Sequence, residues 1–513
     1  METGLEHDLR DGRRATGTAP SRHAADGRRW LALALVCLAS LLIVLDGTIV
    51  NVALPTIQRD LGFTQASLAW VVNAYLLTFG GLMLVAGRAA DLLGRRRILM
   101  AGIALFTLSS LACGTAGSQA MLVLFRGLQG IGGAVVASVT ISIVVALFPD
   151  PTDRAKAMSI WGFVGSGGGT VGVVIGGLLT QSFNWHWIFL VNVPIGAAAL
   201  LLAKPLLPAM PGTGMARGVD LPGTLAVIAA PVLAVYGIVN GSQAGWTSIG
   251  TLGCLAAALM VAAAFVVIEA HRRAPLVPLR IFRLRTVAVT NIVTVLSGSA
   301  FFGWFFFAAL YAQRVLGFDS LHTGLTFLPA TLTMGALSLG PTARIVSRFG
   351  PKKPLVTGTL LISLGLALLG RAPADGQFAI DLLGPMLLLG FGAGISFMPL
   401  VLLATGEASP AESGLVSGLV STSQMIGGAI GLAVLAGVAA ARTGSALAVG
   451  QAPTAALNAG YHAAFWLAAA LALAATVIAA SQLRSAQATP PPGDEHSGVE
   501  QAVHHGELLA VAS

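Results

Sequence analysis

Long apolar runs without charged residues recur along almost the whole chain, from Trp30 to Gln482. Several of these runs reach about 18 residues or more, and about 20 helical residues are enough to cross a hydrocarbon core about 30 Å thick. A soluble surface needs about 25% charged residues, whereas this chain of 513 residues has 10% charged and 55% hydrophobic residues. The sequence therefore predicts an integral membrane protein and excludes a series of soluble domains.

The apolar runs, divided at charged or Gly/Pro-rich breaks, predict an all-α membrane protein with fourteen transmembrane helices. The first run contains Asp46 and is longer than the apolar core of a secretion signal, so we interpret it as an uncleaved helix. The predicted spans are 30–53, 67–86, 98–117, 121–147, 156–179, 187–207, 220–239, 249–269, 286–311, 322–345, 354–371, 379–404, 413–440 and 460–482.

The predicted spans fall into two sets of six with two extra helices between them. We expect an N-terminal six-helix bundle over 30–207, two inserted helices and a basic loop over 208–285, and a C-terminal six-helix bundle over 286–482. Residues 1–29 and 483–513 are polar tails, and the Pro-rich second tail has the composition of a disordered segment.

The basic residues are distributed unevenly between the two sides of the predicted bundle. Only Arg59, Arg314, Arg371 and Arg442 lie in loops on one side, Arg126 lies within a span, and all the others lie in tails and loops on the opposite side. Cytoplasmic loops carry the excess of Lys and Arg, so we expect both termini in the cytoplasm and the chain in the cell membrane. This topology accounts for the net charge of +8 and the pI near 10.0 without a nucleic-acid partner.

The sequence offers little to a metal, a cofactor or enzyme chemistry. The cysteines Cys37, Cys113 and Cys254 all lie in apolar runs, and the spacing typical of a zinc site is absent from the sequence. We find no group of carboxylates or histidines at one predicted membrane face, as a membrane enzyme would need. We therefore expect no metal, no cofactor and no catalytic residue. The sequence indicates no oligomeric state.

A turn with the same pattern occurs after the second span of each predicted bundle. Asp91-Leu-Leu-Gly94-Arg-Arg-Arg97 follows span two, and Ser347-Arg-Phe-Gly350-Pro-Lys-Lys353 follows the second span of the last six. Internal duplication of this kind is typical of secondary transporters, in which two repeats move around a site near the middle of the membrane.

Four motifs then occur in the order typical of one transporter family. Taken together, they make the chain similar to the major facilitator superfamily, in particular its fourteen-helix drug:proton antiporter branch (EmrB/QacA type). The motifs are Asp46-Gly-Thr-Ile-Val-Asn51-Val-Ala-Leu-Pro55, Trp70-Val-Val-Asn73-Ala-Tyr75, Gly87-Arg-Ala-Ala-Asp91-Leu-Leu-Gly94-Arg95-Arg96-Arg97 and Arg126-Gly-Leu-Gln129-Gly130.

The resemblance implies two bundles that export hydrophobic or amphipathic small molecules, including drugs and antibiotics, by alternating access and in exchange for protons. It also implies roles for particular residues. Asp46, Arg126 and Gln129 would couple transport to protons, and Gly87, Asp91, Gly94, Arg95 and Arg96 would form a conformational latch at the inner surface. The small residues Gly168, Gly172, Gly176 and Gly177 would allow close helix packing.

Asp46 and Arg126 also stand out on physical grounds. A charged side chain near a helix centre costs about 2.5–3.5 kcal/mol on insertion scales, so each of the two needs a cavity or a partner. For Asp46 the structural alternative is a bond to neighbouring backbone, Thr48 or Asn51, and for Arg126 it is a clamp between the first and fourth spans.

Polar and aromatic side chains at membrane depth are the candidates for a substrate cavity. They are Asn51, Asn73, Tyr75, Trp304, Phe305 and Gln424. The aromatic run 301–307 covers all faces of its helix, so we expect some of its rings to contact lipid. Because Asp46 is the only acidic residue deep within a span, we expect substrates that are neutral or at most singly cationic.

One motif departs from the pattern of the antiporter branch. The fifth span reads Gly168-Gly-Thr-Val-Gly172-Val173-Val-Ile-Gly176-Gly177, with Val173 where the motif usually has proline. A valine removes the kink that proline would introduce. A proton-coupled importer, or a dedicated exporter of one metabolite, therefore stays open as an alternative.

Overall fold

The computed structural model describes residues 22–212, 220–272, 275–409 and 412–483, and every regular element in these ranges is helical. Thirteen of the helices in these ranges are long and apolar enough to cross a membrane. Most of both predicted tails lies outside the described residues, as do Arg217 and Arg273 of the basic loops.

Seventeen α-helices follow one another along the described residues, with a π-helical turn, Phe378–Leu382, directly before α15. Their bounds are α1 Arg22–Leu61, α2 Trp70–Leu93, α3 Arg95–Cys113, α4 Gln119–Leu147, α5 Pro151–Ser182, α6 Trp187–Leu190, α7 Asn192–Leu206, α8 Leu221–Ala244, α9 Ile249–His271, α10 Arg285–Arg314, α11 Ser320–Thr326, α12 Leu328–Ser338, α13 Pro341–Phe349, α14 Lys352–Leu369, α15 Leu383–Thr405, α16 Ser413–Ala448 and α17 Pro453–Gln482.

Side-chain caps determine where several of these helices begin. Ser118, Asp150, Asp220, Ser248 and Asp319 each accept a hydrogen bond from a backbone N–H in the first turn of the helix that follows. These N–H groups have no partner within the helix, so a side-chain oxygen at this position stabilises the helix start.

The predicted tenth span, 322–345, is not one continuous helix. The chain forms α11, α12 and α13 there, and each is too short to cross a membrane alone. Pro329 and Pro341 lie in the first turns of α12 and α13, and Gly340 has a φ of 149°. Proline has no N–H to donate, so the helix is interrupted at these points, and the predicted tenth span consists of three short helices.

The helices before and after the inserted pair pack in the same pattern. In the first set α1 contacts α4, α5 and α7, and α3 contacts α4 and α7. In the second set α10 contacts α15, α16 and α17, and α14 contacts α15 and α17. This repetition gives the fold two similar six-span bundles, with α11–α13 together in the place that α2 has in the first.

The two bundles meet along two seams. On one side α5 packs against α11 and α12, and on the other α2 packs against α16. The inserted helix α8 lies against both α2 and α16, while α9 packs mainly against α8. The inserted pair therefore covers the α2–α16 seam from outside the bundles. The domain boundaries given above stay predictions.

Candidate functional site

Asp46 lies near the middle of α1 and is completely buried. Its Oδ2 accepts a hydrogen bond of 2.6 Å from Arg126 Nη1, and its Oδ1 accepts one of 2.7 Å from Gln129 Nε2. Asn192 Nδ2 on α7 is 3.4 Å from the same Oδ1. Asp46 is therefore held in a charge-assisted network instead of lying free in an apolar interior.

Arg126 joins three helices of the first bundle. Besides its ion pair with Asp46 on α1, it donates from Nη1 to Gln129 Oε1 over 2.7 Å and from Nε to the Val71 carbonyl of α2 over 3.0 Å. Its guanidinium carbon lies 4.5 Å from the centre of the Tyr75 ring. A cation above an aromatic face is attracted to it, so α2 contributes both an acceptor and a ring to the site.

Two further side chains complete the network, and the sequence alone did not identify either as part of the site. Ser110 Oγ on α3 accepts from Gln129 Nε2 over 2.6 Å, and Asn192 Nδ2 is 3.4 Å from the same Oγ. Both residues are fully buried. Asn192 lies in segment 185–194, which its Trp and His residues make recognisable in the sequence. Ser110, in contrast, is one serine among several in an apolar run.

The local contacts proposed as an alternative for Asp46 are made to other groups. Thr48 Oγ1 donates to the carbonyls of Val44 and Leu45, and Asn51 Nδ2 donates to the Gly47 carbonyl. Among the described residues, the hydrogen bonds to the Asp46 carboxylate come from α4 and α7. Arg126 does connect the first and fourth spans, as the clamp alternative requires.

The small residues of α5 face two different neighbours. A Cβ on Gly168 would be 2.9 Å from Leu41 of α1, one on Gly172 would overlap Thr48 Oγ1, and one on Gly176 would be 2.7 Å from Ile49. Gly177 instead lies against α11, where a Cβ would be 2.6 Å from the Ser320 carbonyl. The glycines thus allow α5 to approach α1 and the second bundle closely.

Replacing Gly172 with alanine is expected to lower stability by about 1–3 kcal/mol, because the added methyl group forces α5 away from α1. The melting temperature of the purified protein measures this effect. Gly165→Ala on the same helix is the matched control, since nothing lies within 4 Å of its Cβ position. Equal melting temperatures for the two variants would show that the close contact at Gly172 is unimportant.

The predicted latch residues lie together where α2 ends and α3 begins. Asp91 Oδ1 is 3.4 Å from Arg95 Nη2, and Arg95 Nη1 is 3.3 Å from the Ser142 carbonyl of α4. Arg96 Nη1 donates to the Leu207 carbonyl over 3.1 Å. Gly94 has a φ of 100°, which favours glycine, and its Cβ position is 2.7 Å from the Met210 carbonyl. Gly87, by contrast, meets only an ordinary contact, 3.9 Å from Ser138.

The predicted cavity residues are mostly buried in this conformation. Asn73, Tyr75 and Trp304 each have a buried polar atom without a hydrogen-bond partner in the described part of the chain. Asn51 and Phe305 are also buried, and Gln424 is partly buried. None of these six residues lines either of the two cavities described next.

The aromatic run of α10 packs inside the protein. Residues 304–307 are all buried, whereas Phe301 and Phe302 keep part of their surface exposed. The lipid contact expected for some rings therefore stays a prediction, and it is confined to these two. The Phe305 ring stacks on Phe327 of the α11–α12 junction at 5.3 Å. Residues 304–307 are buried because α10 is surrounded by α1, α15, α16 and α17.

Two cavities open at one end of the bundles. We call this end, where Arg59 lies on α1, the Arg59 face. The opposite end, where Arg28 lies on α1, is the Arg28 face. The larger cavity, of about 510 Å³, lies between the bundles and is lined by Arg59, Gln181, Gln313, Arg314 and Asp319 among others. The second, of about 420 Å³, includes Arg59, Trp185 and His186. Gln313, which lines the larger cavity, donates from Nε2 to the Val52 carbonyl over 2.7 Å, and this bond joins α10 to α1.

Known proteins resemble this chain over most of its length. The sequence model of the Major Facilitator Superfamily matches residues 36–432. The puromycin resistance protein pur8 of Streptomyces alboniger is 38% identical over 440 residues, which are 85% of this chain and 87% of that protein. The cephamycin export protein CmcT of Amycolatopsis lactamdurans is 37% identical over 407 residues, 79% of this chain and 84% of that protein.

Solved structures share the fold at low sequence identity. A POT family peptide transporter in an autoinhibited form superposes with a TM-score of 0.65 and 17% identity, covering 90% of this chain and 99% of that one. The xylose transporter XylE from E. coli, partially occluded and open inward, gives a TM-score of 0.61 and 15% identity over 90% and 99% of the two chains.

Proposed function

Because the chain belongs to the Major Facilitator Superfamily, we propose that it exports amphipathic small molecules, antibiotics among them, in exchange for protons. It is a multi-pass membrane transporter and not an enzyme. The names of its relatives, which refer to puromycin resistance and cephamycin export, support antibiotics as the substrate class. The site observation that carries the proposal is the buried carboxylate of Asp46, held by Arg126 and Gln129.

Asp46 is the proton site of the proposed exchange. In the present conformation it is sealed from water and paired with Arg126, so it can take up a proton only when the bundle opens. Protonation removes the negative charge that compensates Arg126, and a buried cation without its partner is costly. A conformation in which Arg126 has different neighbours is then favoured. Protonation of Asp46 is thereby coupled to the alternating access of the two bundles.

Alternating access in this proposal requires the bundles to separate at the Arg59 face. There α5 and α11 are in close contact, because Cβ positions on Gly177 and Gly324 lie against backbone carbonyls of the other bundle, and the Gln313 bond joins α10 to α1. Opening these contacts would connect the middle of the protein to the larger cavity. Asn51, Asn73, Tyr75, Trp304, Phe305 and Gln424 are the residues proposed to contact substrate along this path.

The Arg28 face is proposed to lie in the cytoplasm, with both termini, in the cell membrane. Support comes from the basic side chains near this face, such as Arg28, Arg88 and Arg96. Residues 30–207 and 286–482 are proposed to move as the two units, with 208–285 as the insertion. Labelling of single cysteines introduced at the two faces by an impermeant thiol reagent in intact cells tests the orientation, and reaction at the Arg28 face contradicts it.

Gly87, Asp91, Gly94, Arg95 and Arg96 are proposed as a latch that changes during transport. The Asp91–Arg95 pair is exposed, and exposed ion pairs contribute at most about 1 kcal/mol. Asp91→Asn is therefore expected to leave the melting temperature almost unchanged while it lowers the transport rate severalfold. If Asp91→Asn transports at the normal rate in membranes with equal amounts of protein, these residues are no latch, and the basic side chains only set the orientation of the chain in the membrane.

Everted membrane vesicles with an imposed pH gradient test the proposed function. We expect uptake of puromycin or another amphipathic compound that requires the gradient and stops when a protonophore collapses it. Vesicles without the protein are the control. Uptake only into right-side-out vesicles would favour the importer, and uptake of a single compound from a broad panel would favour a dedicated metabolite exporter. An absence of coupled proton flux with every compound would contradict the proposal.

A further inference from the structure

Two buried carboxyl groups meet where the inserted helix pair reaches the Arg28 face. Asp220 is the capping residue of α8, and Glu269 lies in the last turn of α9. Both side chains are more than nine-tenths buried, with 6% and 2% of their surface exposed. Neither residue belongs to the Asp46 network or to the predicted latch.

Among the described residues, each carboxyl group has one oxygen with a hydrogen-bond partner and one oxygen without. Asp220 Oδ1 accepts from the Gly223 N–H over 3.1 Å and is 3.4 Å from Arg272 Nε. Glu269 Oε2 accepts from the Val277 N–H over 3.1 Å. Asp220 Oδ2 and Glu269 Oε1 are buried and have no hydrogen-bond partner in the described ranges.

The two unpartnered oxygens face the same point. A Cβ built on Gly223 would be 2.6 Å from Glu269 Oε1 and 2.8 Å from Asp220 Oδ2. The two oxygens are therefore separated by no more than the sum of these two distances. A side chain at residue 223 would fill this space, so glycine is what allows the two carboxyl groups to approach.

Two buried carboxylates this close repel each other when both are ionised, and this repulsion favours a single proton held by the pair. Among the described residues, the charged group beside the pair is Arg272, which is bound to Asp220 and whose side chain is 48% exposed. His271 is turned away, with Nδ1 on the Val267 carbonyl, and Arg88 of α2 reaches the Pro275 carbonyl instead. Arg280 and Glu412 are paired with each other.

Glu269 also holds the linker loop, 275–283, which touches helices of both bundles. Val277 donates to Glu269 and is packed with Leu84 of α2 and Val416 of α16 in one apolar cluster. Arg88 Nη1 lies 3.4 Å from the Pro275 carbonyl, and Arg280 forms a 2.8 Å ion pair with Glu412 beside α16. The loop therefore crosses the α2–α16 seam at the Arg28 face.

We propose that Asp220 and Glu269 form a second proton-binding site, which holds one proton between them and fixes the linker loop across the seam. Loss of that proton places two negative charges side by side, so Glu269 turns toward water and releases the Val277 N–H. The proton occupancy of the pair thus controls how firmly the loop joins α2 to α16. The site does not depend on the proposed direction or substrate of transport.

Infrared titration of the full-length protein in lipid bilayers tests the pair directly. The wild type is expected to show a carboxylic-acid C=O band at neutral pH that is missing in Glu269→Gln, a substitution that copies the protonated shape and so should fold. Glu407→Gln, an exposed residue at the same face, is the matched control and keeps the band. A Glu269→Gln spectrum identical to that of the wild type at every pH would overturn the proposal.

Asp220→Asn provides a second test, in which the pH at which the carboxylic-acid band of Glu269 disappears is compared with that of the wild type. Removing the like charge makes ionisation of Glu269 easier, so its band is expected to disappear at a pH lower by about one unit or more. An unchanged or higher titration point contradicts the pairing. Hydrogen exchange of residues 275–283 tests the loop: at alkaline pH it should be severalfold faster in the wild type than in Glu269→Gln, and equal rates would overturn control of the loop.

Discussion

In everted vesicles, the Asp46→Asn variant is expected to lose proton-driven transport by at least about tenfold, which corresponds to about 1.4 kcal/mol in the rate-limiting barrier. Asparagine has the size of aspartate and keeps an oxygen for Arg126, so the protein should still insert and fold, with a lower melting temperature because the buried Arg126 loses its negative partner. It cannot exchange a proton, and the cycle therefore stops at the step in which Asp46 changes its protonation state. Substrate uptake and proton flux are measured together at matched protein levels.

The control for this variant lies on the same helix. Asp60 is exposed at the Arg59 face, where its Oδ2 accepts from Trp185 Nε1 over 2.7 Å. Asp60→Asn makes the same chemical change outside the buried network and should transport normally. If Asp46→Asn also transports at the wild-type rate under a pH gradient, Asp46 is not the proton site.

Arg126→Ala is expected to have the largest effect on stability, a loss of about 3–5 kcal/mol, together with loss of transport. The substitution leaves Asp46 buried without its cation and removes the donor to the Val71 carbonyl. Thermal unfolding of the purified protein and vesicle uptake measure the two effects. A variant that keeps both the wild-type melting temperature and transport would contradict the assigned role of the pair.

A double variant separates a structural clamp from a functional site. Asp46→Leu with Arg126→Met replaces the ion pair by apolar side chains of similar size, which often restores or raises stability. We expect the double variant to recover most of the melting temperature lost in Arg126→Ala and to remain inactive in transport. Recovery of transport along with stability would make the pair a clamp between α1 and α4.

Sequence reasoning identified the centre of the site because the energetics of charge in a membrane are local. Asp46 and Arg126 stand out in any reading, since each is a charged residue inside an apolar run. Ser110 does not stand out, because serine is tolerated in many places of a helix, and the Trp- and His-containing segment 185–194 did not single out Asn192. Their importance comes from reaching Gln129 and Asp46 across the bundle.

The aromatic run of α10 shows the opposite case. Its rings cover every side of the helix, and from the sequence this pattern indicated partial exposure to lipid. Whether a helix is central or peripheral depends on how many neighbours surround it, and helical periodicity carries no information on that number when all faces are apolar. The packing of α10 among four helices is what buries residues 304–307.

The sequence by itself determined the class of protein, since only long helices satisfy their backbone polar groups in a bilayer, and the ordered motifs already indicated the family. The tertiary structure decided which side chains meet: the approach of Asp220 to Glu269, 49 positions along the chain (269 − 220), depends on how α8 and α9 are turned about their axes. Composition sets the environment of a helix, but its rotation and depth result from packing against its neighbours.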